Sequence, residues 1–199
     1  MREMTDPVPV ALGERFADAV AYAAKAHGAQ LRKGTSIPYL SHLLSVAALV
    51  LEDGGGEDEA IGGLLHDAAE DAGGLDRLDD IRERFGEAVA RIVDGCTDTY
   101  EDPKPDWRER KERYLEHLRT ETDERILRVS LADKLHNARS ILRDHREIGE
   151  LVWRRFNRGA DQQMWYYREL EGIFARKKPG PLFDEFYRTV DELERLTLR

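Results

Sequence analysis

The segment GLLHDAAED, residues 63–71, sets His66 beside Asp67 and places Glu70 and Asp71 one turn further on. At about 100° per helical residue the four side chains fall within an arc of about 140° and leave the backbone on one side. Imidazole and carboxylate are good ligands for a borderline or hard divalent cation, and two more acids one turn away are placed to handle a water beside it. The segment SLADKLHNARSIL sets Asp133 between Leu131, Ala132 and Leu135, residues that favour burial. A buried carboxylate needs a partner, so Asp133 is read either as a further ligand or as half of an ion pair with Lys134 or Arg139. His42, among Leu40, Leu43, Leu44 and Val46, is likewise either a core histidine or a ligand. Read as ligands, His42, His66, Asp67 and Asp133 would come from three helices.

Those ligands need helices to carry them, and helical periodicity runs through nearly the whole chain without a convincing alternating strand. ERFADAVAYAAKAHGAQ predicts a helix ending near Gly28, followed by the loop RKGTSIPYL. SHLLSVAALVLEDGGG predicts a second helix, capped by Ser41 and stopped by glycines 54–56. EDEAIGGLLHDAAED reads as one continuous helix up to Gly73. Two short helices, a loop holding Pro103 and Pro105, and four further helical stretches complete an expected compact all-α fold of nine or ten helices. The 199 residues are expected to form one domain, with the motifs within about 14–170 and a C-terminal helical extension over about 180–199.

Composition narrows the partners. A formal net charge of −9 disfavours a nucleic-acid polymer, whereas a few cations lining a cleft still suit a small phosphorylated molecule. The one cysteine, Cys96, permits no intramolecular disulfide, and neither a signal peptide nor a run of about 20 apolar residues is present. The expected setting is therefore the cytoplasm, with no membrane contact. Asp133, Asn137 and Ser140 share an arc of about 60° on one helix, so an amide and a hydroxyl point to the same side as the candidate ligand. In KPDWRERKERY, Lys104, Arg108 and Lys111 form a basic cluster, read preferentially as an ion-paired helical face rather than as a phosphate contact.

The order H…HD…D, on AHGAQLRKGTSIPYLSH, GLLHDAAED and SLADKLHNARS, resembles the HD superfamily of metal-dependent phosphohydrolases. The likeness is closer to the hydrolase domain of RelA/SpoT proteins and to small alarmone hydrolases, and it extends from about Phe16 to Arg168. The resemblance implies one Mn²⁺ held by His42, His66, Asp67 and Asp133, and Glu70 and Asp71 as the pair that positions a nucleophilic water and manages its proton. It also implies that Arg32 and Lys33 pack against a nucleobase and reach phosphates, that Asn137 and Ser140 bind the nucleoside, and that Tyr166 lies near the ribose or base. Tyr166 is alternatively part of an aromatic core stripe with Trp165 and Leu170. Leu43 stands where the family commonly has Pro, and Gly34 replaces a polar residue after the Arg-Lys pair, so the base-facing loop is expected to differ in shape.

The implied activity is removal of the 3′-pyrophosphate from (p)ppGpp or (p)ppApp, with a small purine nucleotide as partner. Two alternatives stand beside it. One is an HD-type phosphatase acting on a nucleoside monophosphate or on the 2′-phosphate of NADPH. The other is a catalytically silent nucleotide sensor.

Overall fold

The computed structural model describes residues 10–71 and 73–197. Among them every regular element is helical, and a single isolated antiparallel bridge between Leu31 and Pro38 closes the loop after the first helix. The helices are α1 (Glu14–His27), α2 (Leu40–Glu52), α3 (Glu57–Leu65), α4 (Ala68–Asp71), α5 (Gly74–Phe85), α6 (Glu87–Cys96) and α7 (Trp107–Thr120). They continue with α8 (Glu124–Ile148), a 3₁₀ segment (Gly149–Arg155), α9 (Ala160–Lys177) and α10 (Pro181–Thr197). Among the described residues no helix is long and apolar enough to cross a membrane.

The centre is a trio in which α2 packs on α3 and both pack on α8. On one side α1, α5 and α6 cover it with Ala19, Ala23, Ile81, Phe85 and Val89. On the other, α9 and α10 pack against α8 and α7 packs on α9, with Leu118, Phe174, Phe186 and Val190 in the shared core. Full burial of such side chains is worth about 1.5–3 kcal/mol each, so the two apolar clusters fix the central trio that carries the candidate ligands. Glycines at 62 and 63 make the trio close: a Cβ on Gly62 would stand 2.5 Å from Cγ2 of Ile92, and one on Gly63 would stand 3.3 Å from the backbone of Ala47. Any side chain there would push α3 off its neighbours and carry His66 with it.

Three local expectations are revised. α2 starts at Leu40, with Tyr39 before it, so Ser41 lies inside the helix rather than capping it. The helix expected through residues 57–71 divides at His66 and Asp67, giving α3 and the single turn α4. The His66 Nδ1 lies 2.8 Å from the Gly63 carbonyl, the acceptor that the Asp67 N–H would use in an unbroken helix, so the His66 side chain interrupts the ladder. The stretch Gly149–Arg155 forms a 3₁₀ turn before α9, which apolar periodicity did not mark. The signal-peptide reading draws on residues 1–9, which lie outside the described residues.

Candidate metal centre and nucleotide cavity

His42 leaves the first turn of α2, His66 and Asp67 occupy the bend between α3 and α4, and Asp133 comes from the middle of α8. The packing of the trio brings them together. The His42 Nε2 is 3.2 Å from the Asp133 Oδ1 and 3.7 Å from the Asp67 Oδ2. The His66 Nε2 is 3.0 Å from the Asp67 Oδ2 and 3.6 Å from the Asp133 Oδ1. Ligands about 2.0–2.3 Å from one ion stand about 3.0–3.7 Å apart at right-angled to tetrahedral spacing, so these separations fit a shared divalent cation. Both Nε2 atoms are buried without a hydrogen-bond partner, which is costly unless a cation takes their lone pairs. His42, His66 and Asp133 offer atoms all within 4.8 Å of one another. Asp67 is less enclosed, with its side chain 20% exposed against 8% for Asp133.

The surroundings set the ligands' tautomers and directions. Because the His66 Nδ1–H donates to a carbonyl, its Nε2 is left as the acceptor facing the cluster. The His42 Nδ1 meets the Nδ1 of His136 at 2.8 Å. Burial, together with the neighbouring His42 and Arg32, pushes His136 down to about 3, so it is neutral. With the proton of this contact on the His42 Nδ1, the Nε2 of His42 presents its lone pair to the cluster, the tautomer a metal ligand needs. Tyr39 donates to the Asp67 Oδ2 at 2.5 Å, and burial followed by the Asp67 charge holds its phenol well above the usual value. Asp133 keeps Oδ1 toward the histidines while Oδ2 accepts from Lys134 at 2.6 Å. The ion-pair reading for Asp133 thus holds for one oxygen and the ligand reading fits the other; Arg139 pairs with Glu185 instead. Burial opposes ionisation of Asp133, but Lys134 and the two histidines hold it well below the usual carboxylate range. Burial opposes protonation of His66, yet without an ion Asp67 and Asp133 raise it well above an ordinary imidazole, so the two carboxylates call for a positive charge at its Nε2, a proton or, in its place, a cation.

Glu70 and Asp71 end α4 beside this cluster and open on a separate hollow of about 500 Å³. The Glu70 Oε1 accepts from Lys104 Nζ at 2.8 Å, and Lys104 lies 3.4 Å from the Asp71 Oδ1. Burial and the nearby Asp98 raise the Glu70 carboxyl above its usual value, with Lys104 pulling the other way. Asp98, in the loop between α6 and α7, gathers Arg110 at 2.6 Å and Lys111 at 2.6 Å. The basic cluster expected on one helical face is therefore divided. Arg108 pairs with Glu112 on that face, Lys104 grips the acid pair, and Lys111 turns toward Asp98 and the main cavity.

That cavity encloses about 560 Å³, and Arg32, Lys33, Asn137, Ser140 and Tyr166 all line it. Asn137 links it to the metal centre, since its Nδ2 donates to the Asp133 Oδ1 at 2.6 Å and its Oδ1 accepts from Arg32 at 2.9 Å. Ser140 donates back to the His136 carbonyl at 2.9 Å. Lys33 reaches Asn157 at 3.2 Å. Among the described residues neither Arg32 nor Lys33 meets a carboxylate, so both keep their charge available at the cavity wall. Tyr166 is only 5% exposed and its hydroxyl has no partner, so it belongs to the core by burial and to the cavity by its unsatisfied polar atom. Gly34 adopts φ +71°, and a Cβ there would stand 2.7 Å from the Arg155 side chain, so the loop of residues 32–38 docks closely on the 3₁₀ segment.

Sequence reasoning did not single out His136, Tyr39, Gln30 or Asp98. His136 was the most accessible of these, lying one turn from Asp133 at i+3. The other three contact the site only through loop geometry.

A profile for the HD domain matches residues 19–157. A GTP pyrophosphokinase of Myxococcus xanthus is 37% identical over 132 residues, covering 64% of this chain and 17% of that protein. A guanosine-3′,5′-bis(diphosphate) 3′-pyrophosphohydrolase of Aquifex aeolicus is 36% identical over 129 residues, covering 64% and 18%. An enzyme of the same name from Xenopus tropicalis is 36% identical over 129 residues, covering 63% of this chain and 69% of that one. The matched part thus spans less than a fifth of the first two relatives and about two thirds of the third. The structure of a metazoan ortholog of SpoT, described as hydrolysing ppGpp, superposes with a TM-score of 0.77 at 22% identity over 95% of this chain and 99% of that one, a likeness of fold. A crystal structure from Listeria monocytogenes gives a TM-score of 0.67 at 33% identity, over 77% and 99%.

Proposed function

This chain belongs to the HD domain family, and from that premise we propose that it is a Mn²⁺-dependent pyrophosphohydrolase acting on the 3′-pyrophosphate of a purine alarmone nucleotide, (p)ppGpp or (p)ppApp, in the cytoplasm. The observation that carries the reading is the pair of buried, unpartnered imidazole nitrogens facing two carboxylates, beside an acid pair and at the edge of a cavity with two unpaired cations. The relatives named as pyrophosphohydrolases support the substrate class.

His42, His66, Asp67 and Asp133 would hold the ion. When bound, a divalent cation polarises phosphoryl oxygens and makes a water acidic enough to ionise near neutral pH. Glu70 and Asp71 orient the attacking water and take its proton; a Glu70 carboxyl raised above its usual value is better matched to that task than an ordinary one. A P–O bond forms from water to the phosphorus next to the ribose, the bond from that phosphorus to O3′ breaks, and O3′ leaves with a proton as an alcohol. Pyrophosphate and a 5′-phosphorylated nucleoside are released. Arg32 supplies a planar cation to the base and Lys33 a point charge to nearby phosphate, while Asn137 and Ser140 line the same wall and Tyr166 offers a hydroxyl.

The test strips the protein with EDTA, restores Mn²⁺, and supplies ppGpp, ppApp, NADPH and nucleoside monophosphates in turn, with pyrophosphate and orthophosphate measured separately. Metal-dependent release of pyrophosphate from an alarmone is the expected result. Orthophosphate from NADPH or a monophosphate would favour a nucleotide phosphatase, and binding without turnover a sensor.

A further inference from the structure

Asp71 ends a helix of only four residues, and its side chain is 27% exposed. So short a helix gives its last side chain little intrinsic hold, and a free carboxylate samples several rotamers, whereas proton transfer needs it held to within a fraction of an ångström. The hold comes from outside the helix. The Gln30 Nε2 donates to the Asp71 Oδ2 at 3.1 Å, on the oxygen opposite the one that faces Lys104. The direction of the amide is set by His27, whose Nδ1 lies 2.8 Å from the Gln30 Oε1; the imidazole N–H donates there and leaves the amide nitrogen for Asp71.

This contact differs from a chance surface bond because both ends of the brace are fixed. The backbone of Gln30 is tied on both sides, its N–H to the His27 carbonyl at 2.7 Å and its carbonyl to the Tyr39 N–H at 2.8 Å. His27 is 5% exposed and stacks on Tyr39 with ring centroids 5.1 Å apart. Tyr39 in turn holds Asp67. One strap, residues 27–39, therefore braces both ends of the α4 turn, Asp67 through Tyr39 and Asp71 through Gln30. We infer that Gln30, oriented by His27, is a positioning residue that fixes Asp71 in the conformation from which it handles the proton of the attacking water; the inference rests on the hydrolase reading for the last clause only.

The experiment compares the Mn²⁺-loaded parent with Gln30→Met, which keeps the length of the side chain and loses the donor. Crystal structures should show Asp71 rotated away from its position in the variant, with His42, His66, Asp67 and Asp133 unmoved. With ppGpp as substrate, kcat should fall at least tenfold while KM and Mn²⁺ affinity stay within twofold and thermal melting is unchanged. In an Asp71→Asn background the same substitution should cause no further loss. An Asp71 carboxylate that stays in place in Gln30→Met would overturn the inference, as would a full additional loss in the Asp71→Asn background. A parent protein without turnover would remove the hydrolase reading, and the position of the Asp71 carboxylate would still decide whether Gln30 holds it.

Discussion

The Nε2 of His42 and the Oδ1 of Asp133 stand 3.2 Å apart, both buried, and the imidazole nitrogen makes no hydrogen bond. A lone pair and a carboxylate oxygen at that distance repel unless a positive charge lies between them. Asp67→Ala and His42→Ala should therefore lose bound Mn²⁺ after dialysis and lose turnover with it, as metal analysis and a pyrophosphate assay would record. Retention of a full equivalent of ion by either variant would contradict the assigned ligand set.

Glu70→Ala should behave differently, because Glu70 touches Lys104 and not the ion-facing atoms. The variant is expected to keep its Mn²⁺ while kcat falls by about a hundredfold, the size of effect usual for loss of a general base. Hydrolysis at the parent rate would show that its role is misassigned.

His136 offers a separate handle on the metal. His136→Leu removes the hydrogen-bond partner of the His42 Nδ1, leaving His42 free to turn and to change tautomer. Losing such a partner typically costs about 10–100-fold in metal affinity. Competition with a fluorescent chelator would measure it, and affinity equal to the parent's would discount the tautomer argument.

Arg32→Ala removes a cation that no carboxylate among the described residues neutralises and that also holds Asn137. The expected result is a rise in KM for ppGpp of about tenfold or more with Mn²⁺ content unchanged, the pattern of lost ground-state binding. A fall in kcat alone would place Arg32 in the chemical step instead.

Stability should carry a pH signature from Asp98. Burial works against its ionisation, but Lys111 and Arg110 bring it down to about 2 from the usual 3.8. A carboxylate lowered on folding stabilises the folded state fully above pH 3.8, and that contribution is lost as pH falls through about 2. At about 1.4 kcal/mol per pH unit this is roughly 2 kcal/mol. Urea unfolding should show Asp98→Asn weaker by about that amount at pH 7, with the two proteins converging toward pH 2. A difference that persists in acid would point to lost packing rather than lost charge.

The sequence by itself determined most of the helices, because they are set by a 3.6-residue apolar repeat and by local stop signals, and α1, α6 and α8 follow them closely. It also determined which side chains have ligand chemistry, since His66-Asp67 and an acid inside the apolar stripe around Asp133 are anomalies visible without coordinates. Tertiary structure alone decided the partners. His136 on His42, Gln30 on Asp71, Tyr39 on Asp67 and Lys104 on Glu70 join residues far apart in the chain. A hydrogen bond spans about 3 Å, and no local periodicity encodes which loop arrives within that reach. The division of the third helix at His66 has the same origin: a side chain took a backbone acceptor, and the ligand came to face its cluster.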